Sequence, residues 1–294
     1  MSTPKDSICR TLCKFYPHHD QRDSAAILLL VVRLVVAIAV VLLLQLESIA
    51  LAVDANKQSE FTVDSAYNKL RELLGNQVDT DRMYVDGKLL KVEGLAISVS
   101  ENADASMEIL AKLPPSLRDF VHRIDLSDLK MSERGAKSIG KLSELRSLSV
   151  KRWDDDWTCH LKPLQKLQEL WIHKAGITEK SIQGISELKS LTVLMAAGND
   201  FKSGGLEPLG NLVNLQQLSL SSPLLVDGDF VFLEKLEKLT ALLLGGTSIS
   251  DDGIKHIFAC KDLSLLQLRS TKVTQKGAAQ LAKRLEHAII SADD

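Results

Sequence analysis

From Val121 onward apolar positions return with a period close to 24 residues, and the slot holding Ile124, Leu148, Leu170, Leu194, Leu218, Leu242 and Leu266 is aliphatic in every copy. A fixed period of this length marks a stack of units, each of which buries its apolar side only against its neighbours. Counted from the first leucine of each strand, slot one holds Leu145, Leu167, Leu191, Leu215, Leu239 and Leu263, and slot six holds Leu126, Val150, Ile172, Ala196, Leu220, Leu244 and Leu268. Apolar residues at slots four and six predict a short strand with one buried face. Slot eleven (Met131, Ile177, Phe201, Leu225, Ile249, Val273) plugs the turn that follows. At slot twelve Ser132, Thr178, Ser250 and Thr274 can cap free backbone N–H groups. Slots nineteen and twenty-two, aliphatic at Ile139, Ile185, Leu209, Leu233, Ile257 and Leu281 and then at Leu142, Leu188, Leu212 and Leu236, suit one face of a short helix. The pattern predicts an α/β solenoid, a horseshoe with a parallel sheet inside and short helices outside.

Before the repeats the pattern is less regular. Val63 to Leu74 reads as an amphipathic helix, Leu89 to Val99 as one or two strands around Gly94, and Ala105 to Leu113 as a helix ahead of Pro114 and Pro115. A solenoid needs cover over its first coil, so 61–120 is the candidate cap and 121–290 the repeat array. Ile290 falls in slot four of an unfinished eighth unit, followed by a tail at 291–294. Ala25 to Leu46 is apolar apart from Arg33 and Gln45 and, as a helix, would span roughly 33 Å. Two readings stay open. In one, 25–46 is a transmembrane helix, the basic residues Lys5, Arg10, Lys14 and Arg22 keep a 1–24 tail cytoplasmic, and 47–60 is a linker. In the other, Leu34 to Leu46 is the core of a signal peptide cleaved after Ala52. Both carry the repeats across the membrane, either anchored in single-pass form or secreted.

The run Leu239-Thr-Ala-Leu242-Leu-Leu244-Gly-Gly-Thr247-Ser-Ile249-Ser250-Asp-Asp-Gly253-Ile254 resembles the leucine-rich repeat family, bacterial members first and the ribonuclease-inhibitor-like and F-box-associated repeats more distantly. Thr247, Thr271 and Asn199 stand where that family places its polar ladder residue. The resemblance covers about 121–290 and implies the scaffold rather than a function. The unit from Leu145 is two residues short, and outside the polar positions the ladder slot holds Leu129, Trp153, Ala175 or Pro223.

Composition narrows the function. Removing the five basic and four acidic groups of residues 1–52 from the totals of 36 and 38 leaves 31 against 34 over 53–294, which gives no basic stripe for a nucleic acid. Cys159 and Cys260 sit four units apart, too far for a disulfide, so both are expected as free thiols. Gly135 to Leu142 approaches a phosphate-binding loop but ends in leucine where a hydroxyl should hold magnesium, and Ile139 and Leu142 are already explained by the helix slots. The acidic knob Asp154-Asp155-Asp156 between Trp153 and Trp157 reads as a solvated turn, and the scattered histidines share no metal spacing. No cofactor, metal or catalytic set is expected. Slots three, five and seven point away from the core and line the concave side. There Trp171, Met195 and Leu243 are large apolar groups at slot five, Glu169 and Val193 lie at slot three, and Lys151, His173 and Arg269 at slot seven. An apolar patch rimmed by charge suits a protein or peptide partner. A non-enzymatic binding module is therefore expected, with a structural envelope component or an F-box-like adaptor as the alternatives.

Overall fold

In the computed structural model the structure describes residues 63–74, 77–85, 88–99 and 102–292. Among the described residues ten strands form one sheet in which spatial order equals chain order. Helix α1 (Val63–Leu74) comes first, then β1 (Val78–Val85), β2 (Lys88–Ser98), α2 (Ala103–Lys112) and the single turn α3 (Pro115–Arg118). The repeats supply β3 (Val121–Leu126), α4 (Glu133–Ile139), β4 (Ser147–Val150), β5 (Glu169–Trp171), α5 (Lys180–Ile185), β6 (Val193–Met195), β7 (Gln217–Ser219), β8 (Ala241–Leu243), β9 (Leu265–Leu268), α6 (Gln275–Arg284) and β10 (Ile289–Ala292). Four connections are 3-10 rather than α: Asp155–Leu161, Glu207–Asn211, Asp227–Lys235 and Ile254–Ala259.

β1 runs antiparallel to β2, and every later neighbour pair is parallel. Ile97, Ile124, Leu148, Leu170, Leu194, Leu218, Leu242, Leu266 and Ile290 are aligned partners on successive strands. From Ile124 to Leu266 this column has no exposed surface. Burying each such side chain stabilises the fold by about 1.5–3 kcal/mol, and only the neighbouring coils supply the cover. The helical residues Ile139, Ile185, Leu209, Leu233, Ile257 and Leu281 close the same core from the other side.

The sheet begins two strands earlier than the repeat pattern suggests. β2 pairs with β3 through a register shift after Leu95: the fully buried Leu95 faces Val121, while Ile97 faces Ile124. The aligned pair Ile97 and Ile124 lies 27 positions apart instead of 24, which hides this coil from a count at fixed period. Helix α1 has the predicted bounds, while β1 carries no clear alternation and was not expected.

Among the described residues no helix is long and apolar enough to cross a membrane. The predicted transmembrane or signal segment at 25–46, the 1–24 tail, the 47–60 linker and the cleavage site after Ala52 lie outside the described residues. So do the last two residues of the predicted 291–294 tail, whose first two belong to β10.

Candidate functional site

The ladder slot holds the turns that present the site. Asn199 Nδ2 donates to the carbonyls of Ile172 and Ala196, both at 2.7 Å, and its Oδ1 accepts from Gly176 N at 3.0 Å. One side chain thus satisfies backbone groups of two coils. Thr247 and Thr271 donate to the carbonyl three residues earlier in their own coil, at 2.8 and 2.7 Å, and Thr271 Oγ1 also accepts from Val273 N at 3.3 Å. Trp153 fills the same slot in the short unit, 3% exposed, and its indole Nε1 has no hydrogen-bond partner.

A second set of polar anchors was missed by sequence reasoning. Asp155 accepts from Thr178 N and Oγ1 at 2.9 and 2.6 Å, and from Ser181 Oγ at 2.6 Å. Asp227 accepts from Ser250 N and Oγ, both at 2.7 Å, and Asp251 from Thr274 N and Oγ1 at 2.8 and 2.6 Å. The hydroxyls expected to cap backbone N–H groups do so, Ser132, Thr178, Ser250 and Thr274 accepting from Arg134, Lys180, Asp252 and Gly277 N, and the last three are also gripped by a carboxylate of the preceding coil. The signal was present, since each aspartate lies 23 residues ahead of its hydroxyl partner. Burial pushes the Asp155 carboxyl up, but bonds from Ser181 and Thr178 and the nearby Lys180 outweigh it and hold it below the ordinary 3.8. The bonds from Thr274 hold Asp251 down in the same way. The acidic knob is thus in part a structural clamp rather than a free solvated turn.

The sequence-predicted binding residues separate into two groups. Glu169, Trp171, Val193 and Met195 lie on β5 and β6, with Lys151 and His173 just past the ends of β4 and β5, and Ser149, Trp171 and Met195 are lateral partners. Trp171 is 37% exposed on the open face of the sheet, and its ring meets the His173 ring edge-on at 6.2 Å between centroids. Lys151 and His173 are exposed, and Val193 is half-buried. Two residues differ from expectation. Met195 is only 6% exposed, so it packs within the face instead of projecting from it. Glu169 is a partner of Arg123 at 3.0 Å, and Ser147 Oγ, which accepts from Arg123, donates to it at 2.8 Å, a polar bridge over three strands. Leu243 and Arg269 sit apart, beside a shallow hollow of about 270 Å³ on β7–β9, and Arg269 Nε donates to Ser291 Oγ at 2.8 Å.

Both described cysteines are free, Cys159 exposed and Cys260 buried. Burial pushes the Cys260 thiol up to about 12, so it packs as a small apolar group.

Neither a protein-family model nor a curated protein matches the sequence. In structure the chain is similar to an internalin C2 of Listeria monocytogenes, with a TM-score of 0.52 and 18% identity over 78% of this chain and 92% of that one. A second internalin of that organism gives a TM-score of 0.48 at 18% identity, over 66% of this chain and 64% of that one. A leucine-rich repeat protein of Leptospira interrogans gives 0.36 at 15% identity, over 63% and 62%. On the first likeness and the unbroken aliphatic column, the chain is in fold a leucine-rich repeat protein.

Proposed function

We propose that the repeats form a non-enzymatic protein-binding module whose partner docks on the open face of the sheet around Trp171, with Lys151 and His173 at its margin. The observation that carries this reading is the exposed indole of Trp171 at a slot the core does not require. An exposed tryptophan beside basic side chains is the composition of a binding hot spot, where aromatic and cationic anchors dominate the energy. Met195 supports the platform from within, and Leu243 and Arg269 extend the contact for a partner long enough to cross three further strands. Residues 25–46 hold or deliver the module to the extracytoplasmic side, as a membrane span or a signal peptide, by the sequence argument above. A purely structural role predicts no such loss on truncating an exposed side chain.

The experiment is capture of partners by the full chain and by Trp171→Ala. The variant is expected to lose about 2 kcal/mol of binding, roughly thirtyfold in affinity, with its thermal midpoint unchanged. Equal recovery of every captured protein would sink the reading. Protease treatment of intact cells tests the location separately: the repeats should be digested from outside.

A further inference from the structure

Beyond the ends of β4 and β5, the turns of successive coils enclose an open cleft of about 520 Å³ lined by Lys130, Lys151, Arg152 and Lys174. None of these four cations has a hydrogen-bonding or ion-pair partner among the described residues. Two acids share the wall, but both are engaged: Asp155 holds Thr178 and Ser181, and Asp154 accepts from Asp156 N at 3.2 Å. Four cations against two occupied carboxylates leave the cleft net positive in a body that is net negative. Trp153 lies in its lining, buried and with an unsatisfied indole N–H. Lys174 adds a further mark. Its backbone is left-handed at φ 49°, the conformation that Gly198, Gly246 and Ser270 take at the same place in their coils. A lysine there carries backbone strain that glycine would avoid.

We propose that this cleft binds the carboxylates of an acidic peptide segment belonging to the protein partner. The choice of a peptide over a free anion rests on the docking face proposed above, because Lys151 belongs both to the cleft and to slot seven of that face. Unpaired cations grouped around an open concavity recognise an anion without breaking any existing ion pair.

The test is a titration of fluorescein-labelled hexaglutamate with the full-length chain, followed by anisotropy at rising salt. Saturable binding that weakens with salt is expected. Lys151→Gln with Arg152→Gln should weaken it about tenfold or more. Lys255→Gln with Lys261→Gln, on the helical side, should leave it unchanged. Lys174→Gly should raise the thermal midpoint while weakening the peptide, a combination that a merely structural lysine would not give. Absence of saturable binding, indifference to the Lys151 and Arg152 changes, an equal loss from the helical-side pair, or displacement by less inorganic phosphate than unlabelled hexaglutamate would each overturn the proposal. If hexaglutamate fails to bind while Trp171→Ala still blocks partner capture, the cleft assignment falls alone. If hexaglutamate binds and capture ignores Trp171→Ala, the docking face falls instead.

Discussion

Asp227 shows how much cohesion a single polar side chain supplies between coils, because it accepts two bonds from Ser250 in the next unit. Bonds to an ionised acceptor contribute more than neutral ones, and removing the acceptor leaves a backbone N–H without its partner. Asp227→Ala is expected to lower the unfolding free energy by about 1–3 kcal/mol in urea denaturation. A change within the scatter of neutral surface substitutions would mean that water replaces the carboxylate. Asp155 and Asp251 add a pH signature. Both carboxyls are held below their ordinary value in the folded chain, so the stability they contribute is complete above about pH 4 and lost as pH falls through the lowered values. Asp155→Asn with Asp251→Asn should therefore flatten the acid limb of the stability profile and leave its shape near neutrality unaltered. At this scale the sequence was only partly legible. It revealed the hydroxyls of Thr178, Ser250 and Thr274 but not their carboxylate partners, since the 23-residue offset between them lies outside the few residues over which a cap is read. It marked Met195 as projecting because alternation assigns a face, while lateral neighbours decide how much of that face is covered.

Strands were easier to read than what joins them. Slot four is apolar in every unit, and the observed register aligns those residues from Ile124 to Leu266 without a slip. Leu218, between Leu194 and Leu242 in β7, is fully buried, so Leu218→Ala should cost about 2–5 kcal/mol. Leu265, at slot three and 37% exposed, should cost far less on the same change, and comparable losses at both would contradict the assignment of faces. The connections were less legible because i+3 spacing fits α and 3-10 geometry equally over one or two turns. β2 escaped the repeat count because a register shift after Leu95 sets Ile97 opposite Ile124 at a spacing of 27 rather than 24.

Over the whole molecule, the regularity of the coils outweighs their individual differences. The unit 239–262 receives the Asp227 clamp through Ser250 and delivers its own through Asp251 to Thr274. A second copy of 239–262, inserted after Asp262, would meet matching donors and acceptors at both new junctions. It would lengthen the sheet by one strand spacing, about 4.8 Å. Trp171 and its surroundings lie several coils away and would keep every neighbour, whereas Leu243 and Arg269 would be separated by an extra rung. Chain length is therefore an adjustable dimension of this protein, a ruler whose divisions can be multiplied at one end while the grip at the other stays the same.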